Sequence, residues 1–166
     1  MNHNFILESK RIILSSLERE DSEKYRLLRN RSDNCKYFFS NKEISAEDQD
    51  KWYQKYLNDE SQIMFAICEK ANGDFVGGIC IYDIDGSKAE VGRIIIDRQK
   101  AGGKGYGAEA IKLINAFAKA ELGLKMTYAN IYATNIASIR SFENAGYTLV
   151  SEENGIKKME LNLGEK

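Results

Sequence analysis

The chain has 166 residues, of which 43% are hydrophobic and 30% charged, with a formal net charge of −1. This length and composition predict one compact domain over residues 1–166 with a full core. The near-neutral charge, without a Lys/Arg-rich run, argues against a nucleic-acid partner, and no apolar run approaches the roughly 20 residues that cross a bilayer, so a cytoplasmic protein without a membrane partner is expected.

Proline is absent, so glycine, Asn-Gly and Asp-Gly carry the punctuation. Arg11 to Leu17 alternates weakly and is β-rich, which predicts a strand; Glu20 to Asn30 places Tyr25, Leu27 and Leu28 among charges and predicts a helix. An irregular stretch, Arg31 to Ile44, holds the aromatic triplet Tyr37, Phe38 and Phe39. Ser45 with Asp48 three residues on resembles a helix start, and that helix runs to about Leu57 with Trp52, Tyr53 and Tyr56 on it. From Gln62 the period becomes two: Ile63 to Cys68, Phe75 to Tyr82 and Ala89 to Ile96 are separated by Asn72-Gly73 and Asp85-Gly86, the pattern of an antiparallel meander. Ala110, Ile111, Ile114, Phe117 and Ala118 recur at helical spacing, with Gly123 as the stop. Met126 to Tyr132 reads as a strand, Asn135 to Ala145 as a helix capped by Asn135 and closed at Gly146, and two strands end the chain.

The three cysteines, Cys35, Cys68 and Cys80, lack CxxC spacing, and the single histidine, His3, stands at the terminus, so no metal site is expected. The informative segment is Gly102-Gly103-Lys104-Gly105-Tyr106-Gly107-Ala108, which sets glycines between a strand and a helix. Glycines there let the backbone turn with several N–H groups facing one concavity, and the helix adds its positive dipole end, which together favour a phosphate. A nucleotide-triphosphate P-loop needs Ser or Thr after Gly-Lys, whereas Lys104 is followed by Gly105. Gly105, Gly107 and Ala110 do fit a dinucleotide fingerprint, although that fingerprint opens a long parallel-sheet domain and here antiparallel strands precede it. A plain connecting turn is the simplest alternative.

The loop resembles the Gln/Arg-x-x-Gly-x-Gly/Ala motif of the GNAT superfamily of N-acetyltransferases, in its ribosomal-protein and spermidine acetyltransferase-like branch, with Gly102 in place of the Gln/Arg. Asn135 to Tyr147 is similar to the same family's Asn-x-x-Ser/Ala helix that ends in Gly-Phe/Tyr. The likeness extends to Leu28-Arg29-Asn30 and to the Ile44 to Tyr56 helix, so it covers nearly the whole chain. It implies an α/β (α+β) fold with a mixed, mostly antiparallel central sheet, flanking helices and two splayed strands that open a slot for acetyl-CoA. In that picture Ile94, Ile95 and Ile96 bond the pantetheine arm through their backbone, and the amides of Gly103, Lys104, Gly105, Tyr106, Gly107 and Ala108 hold the pyrophosphate. Asn135 and Ser138 face the arm, Asn135 serving equally well as an N-cap.

The implied reaction is attack of an amine on a thioester. An alkyl amine of pKa near ~10.4 must first lose a proton, so a general base is useful. The strand position at which some relatives carry a glutamate is Asn130 here, which leaves Glu90 as the expected base, its alternative being a solvated charge at a strand end. The tyrosine that many relatives use to protonate the thiolate is replaced by Phe142, with Ser141, Tyr132 or water as substitutes. Phe38 and Trp52 are expected on the acceptor wall. The resemblance points to a small-molecule amine, first an amino-sugar nucleotide and then a protein N-terminus or polyamine, and allows a homodimer; a catalytically inactive acyl-CoA-binding module remains the competing reading.

Overall fold

A computed structural model describes residues 4–40 and 42–164, so His3 lies outside the described residues. Eight strands form one sheet: β1 (Ile6–Glu8), β2 (Ile12–Ser16), β3 (Ile63–Glu69), β4 (Phe75–Asp85), β5 (Lys88–Ile96), β6 (Met126–Tyr132), β7 (Thr148–Glu153) and β8 (Ile156–Asn162). Their spatial order is β1-β2-β3-β4-β5-β6-β8-β7, and every neighbouring pair is antiparallel except β5 with β6. The helices are α1 (Arg19–Asn30), α2 (Ser32–Cys35), α3 (Ala46–Tyr56), α4 (Arg98–Ala101), α5 (Tyr106–Ala120) and α6 (Ile136–Asn144). The expected elements are all present. The additional ones, β1, α2 and α4, span three or four residues each and are too short to show a hydrophobic period.

Helices cover both faces of the central strands, which is why Ile63 to Ile67 of β3 are buried without alternation. On one face α5 sets Ile111, Ile114 and Phe117 against Leu14, Phe65, Ile79 and Val91. On the other, α1 and α3 bring Tyr25, Leu28, Tyr53 and Tyr56 onto Met64, Cys80 and Ile95. The apolar stripe of α5 is fully committed, and Ser45 accepts the Asp48 N–H at 3.1 Å to start α3. A buried polar cluster ties α5 to the second half of the sheet: Asn115 Oδ1 accepts from Thr127 of β6 and from Tyr147, each at 2.9 Å.

The centre of the sheet departs from regular pairing in two ways. Between Cys80↔Gly92 and Gly78↔Ile95, β5 carries one residue more than β4, and Arg93 in this bulge has φ of 53°. The extra residue resets the alternation: Ala89 and Val91 pack on the α5 side, but beyond the bulge Ile94 and Ile96 do so while Ile95 turns to α1. The Tyr25 hydroxyl donates to the Arg93 carbonyl at 2.8 Å and holds the bulge open toward α1. Two glycines make that packing feasible. A Cβ on Gly78 would lie 2.6 Å from the Tyr25 ring, and one on Gly77 would lie 2.0 Å from the Ile95 carbonyl oxygen. The second departure is between β5 and β6, which pair only at Lys88↔Met126, Ala89↔Thr127 and Glu90↔Tyr128, although both strands continue.

Candidate active site

Beyond Glu90 the facing edges of β5 and β6 diverge, so the backbone of Ile94, Ile95 and Ile96 borders a wedge that no strand fills. The chain then turns through α4 into the glycine loop at the end of the same strand. Asp97 caps α4 by accepting the Gln99 N–H at 3.1 Å. Gly102 closes α4, and a Cβ there would stand 2.6 Å from the Arg98 carbonyl oxygen, so the family's Gln/Arg would not fit this turn without a backbone shift. Gly103 and Gly105 have φ of 76° and 78°, the left-handed region that glycine enters without strain, and Gly105 is the N-cap of α5. The first-turn N–H groups of Tyr106, Gly107 and Ala108 have no acceptor within the helix.

The side chains around this loop leave its backbone open. Lys104 and the Tyr106 hydroxyl both reach Glu69 at the end of β3, at 2.8 and 2.6 Å, and these hydrogen bonds hold the Glu69 carboxyl down at about 2. Glu109 in the first turn of α5 is taken up by Arg11, at 2.6 Å, and by Ser9. Lys104 and Tyr106 therefore offer a ligand their amides while their side chains anchor the loop to the sheet. An anion at the N-terminus of α5 would meet oriented N–H groups and the positive end of the helix.

α6 packs against the same turn. The Ser141 hydroxyl donates to the Ala137 carbonyl at 3.0 Å and stands 3.0 Å from where a Gly107 Cβ would sit. Asn135 is the N-cap of α6, its Oδ1 accepting the Ser138 N–H at 3.3 Å, so those two expected contacts of the pantetheine arm engage each other. Among the described residues no hydrogen bond joins Ser141 to Glu90. Phe142 is fully buried, edge-on to Tyr147 at 4.9 Å, and so is a core side chain.

Glu90 lies at the vertex of the wedge, in the last β5–β6 pair, and is 7% exposed. Its side chain projects from the face that carries α1 and α3, opposite to Ala89 and Val91. The Tyr82 hydroxyl donates to its Oε2 at 2.8 Å. Burial pushes the carboxyl above the usual carboxylate range, partly offset by Tyr82 and by the side chain and backbone of Asn130, which favour the ionised form. Asp83, at a second bulge with φ of 51°, adds to the upward push. A buried carboxyl of raised pKa at a cleft vertex could serve as a general base. Asn130, which lacks a titrating group, thus joins the site through Glu90.

The α1–α3 region carries the aromatics expected on the acceptor wall. Phe38 is half-buried beneath the Arg29 guanidinium, 4.5 Å from its ring, and Trp52 stacks on Tyr56 at 5.0 Å. Both border the core beneath α1 and α3. Phe39 is 57% exposed and meets Tyr132 of β6 edge-on at 5.0 Å. Arg93 projects from the bulge over the Tyr82 ring at 4.1 Å, bonds Gln62 at 2.9 Å, and has no carboxylate partner among the described residues. Also among the described residues, no group of three or more His, Cys, Asp or Glu could hold a metal ion, and no helix is long and apolar enough to cross a membrane.

The profile of the Acetyltransferase (GNAT) domain family matches residues 11–148. No protein of curated function matches the chain. Among solved structures, the spermidine N-acetyltransferase from Vibrio cholerae, in complex with CoA and spermine, superposes with a TM-score of 0.83 at 21% identity, covering 93% of this chain and 97% of that one. A domain from Methanocaldococcus jannaschii DSM 2661 gives 0.81 at 24% identity over 91% and 97% of the two chains. An acetyltransferase of the GNAT family from Bacillus anthracis gives 0.82 at 19% over 96% and 99%. The open strand edge, the left-handed glycines and the free amides of α5 fit a pantetheine arm and a diphosphate, the parts of acetyl-CoA that such a fold must hold. The chain belongs to the GNAT family and is an acetyl-CoA-dependent N-acetyltransferase.

Proposed function

We propose that the chain acetylates the primary amine of a small molecule, with Glu90 as the general base. The observation that carries this is the position of Glu90: a buried carboxyl of raised pKa where β5 and β6 part. Acetyl-CoA supplies the thioester carbonyl: as the amine nitrogen bonds to it the C–S bond breaks, and CoA leaves as a thiolate that takes its proton from solvent. The chain's own residues do the rest. The backbone edge at Ile94 to Ile96 and the loop amides at Gly103 to Ala108 bind and orient the donor, while Glu90 takes the proton that a protonated amine must lose. At neutral pH the neutral form of an alkyl amine lies about 4 to 5 kcal/mol above the ammonium, and a positioned base contributes about 10²- to 10⁴-fold.

For the acceptor we infer an amino-sugar nucleotide first. The exposed Phe39 ring beside Tyr132 offers a stacking surface, and the Arg93 guanidinium, without a carboxylate partner among the described residues, suits a diphosphate. A polyamine is the second reading, motivated by the likeness to the Vibrio cholerae spermidine enzyme. Thiol release from acetyl-CoA, followed with panels of amino-sugar nucleotides, polyamines and peptides, separates these readings. Turnover confined to amino-sugar nucleotides is expected. Turnover confined to polyamines replaces the acceptor class, and binding of acetyl-CoA without turnover on any amine indicates an acyl-CoA-binding module.

A further inference from the structure

The Tyr82 hydroxyl reaches Glu90 through an arrangement in which three neighbouring positions each contribute. Register places Tyr82 of β4 directly opposite Glu90 of β5, and the phenol donates to Oε2 at 2.8 Å. Gly92, two residues after Glu90 on the same strand, leaves the space that the phenol occupies: a Cβ there would lie 2.8 Å from the hydroxyl and 3.3 Å from the ring. The Arg93 guanidinium lies over that ring at 4.1 Å, and the Gln62 carbonyl fixes the guanidinium at 2.9 Å. The ring is thus confined on one side by backbone and on the other by a tethered cation. Its hydroxyl is held far from ionisation by burial and by the neighbouring carboxylate, so at any working pH it remains a donor.

We propose that Tyr82 is a positioning residue that fixes the Glu90 carboxylate and sets the pH at which it becomes available as a base, with Gly92 and Arg93 holding Tyr82 in place. The inference rests on the reading of Glu90 as the base. One carboxylate oxygen is committed to the phenol, which limits rotation of the group and leaves the other oxygen for the incoming amine. The groups around Glu90 pull in opposite directions. Tyr82 on β4 and Asn130 on β6 favour the carboxylate, whereas burial and Asp83 on β4 oppose it. Tyr128 on β6 pairs across from Glu90 and has its own ionisation suppressed chiefly by burial and then by Glu90. Arg93 on β5 acts on this balance through the Tyr82 ring. Removing the phenolic donor therefore weakens the ionised form and raises the Glu90 midpoint.

The test is Tyr82→Phe, which keeps the ring and the contact with Arg93, alongside Gly92→Ala, which leaves the tyrosine in the chain but crowds its hydroxyl. Two readouts are taken on the whole protein: the carboxyl ¹³C titration of Glu90, assigned by its loss in Glu90→Gln, and the pH profile of kcat/KM for acetyl transfer. In Tyr82→Phe the Glu90 midpoint should rise by about one pH unit, the amount expected for a lost hydrogen bond to a charged group. The acid limb of kcat/KM should move with it, and activity should return to within a few-fold above the new limb. Gly92→Ala should shift the midpoint the same way, and the double variant should shift it no further than the larger single change. An unmoved midpoint in folded Tyr82→Phe, or equal loss of activity at every pH, overturns the proposal. A midpoint that moves as expected while the unmodified protein transfers no acetyl group sustains the positioning role and removes the base reading beneath it.

Discussion

At the scale of single residues, Glu90 is a carboxyl whose burial and hydrogen bonds oppose each other. Glu90→Gln keeps the shape and removes the proton acceptor, so turnover on the true acceptor should fall by about 10²- to 10⁴-fold with acetyl-CoA affinity nearly unchanged, as read by steady-state kinetics beside calorimetric binding. Because burial lifts the Glu90 carboxyl above the usual range, kcat/KM should decline as pH falls through that raised value, at a pH where an exposed glutamate would still be ionised. Glu90 is reached in the sequence only through the family resemblance, which leaves it as the expected base once Asn130 holds the usual glutamate's position. Tyr82 was not visible. Its role depends on the β4–β5 register and on the missing Cβ of Gly92, neither of which leaves a mark in hydrophobic period. Phe38 and Trp52 are half-buried against the core whereas Phe39 is exposed beside Tyr132, a difference that residue type alone does not report.

At the scale of elements, the glycine loop is fastened to the sheet by Glu69, which collects Lys104 and the Tyr106 hydroxyl. These hydrogen bonds depress the Glu69 carboxyl to about 2, so the folded state binds its proton less readily than the unfolded chain, where a glutamate titrates near ~4.3. The stabilisation is complete above that unfolded value and is lost as pH falls from there through about 2. Thermal melting across this range should therefore show Glu69→Gln less stable than the unmodified chain at neutral pH, with the gap closing in acid; a gap independent of pH would separate the tether from the carboxylate charge. The loop itself was legible because left-handed turns favour glycine, as Gly103 and Gly105 show. The reason for Gly102 was not, since it depends on the carbonyl of Arg98 approaching from a helix of four residues.

At the scale of the whole molecule, the sheet consists of two antiparallel parts, β1 to β5 and β6 to β8, joined by three parallel residue pairs ending at Glu90. Every strand of both parts except the three-residue β1 could be read from alternation and turn signals, because each of those is longer than four residues and faces a helix or solvent. Where pairing ceases could not be read, because Ile94 to Ile96 are as apolar as a continuous ladder would be. The bulge at Arg93 separates what the chain needs in order to fold from what it needs in order to bind. Excising Arg93 would let Gly92 run directly into Ile94, and Ile94, Ile95 and Ile96 would keep the faces they already occupy, now in uninterrupted register with β4. A shortened chain should therefore still fold cooperatively in urea, with a straighter β5 that lies closer to β6, and should lose acetyl-CoA binding by calorimetry. Loss of folding would show that the bulge belongs to the core, and retained binding would show that the wedge opens without it. At this one position, regularity and usefulness are competing properties of the same strand, and the irregular version is the one the chain encodes.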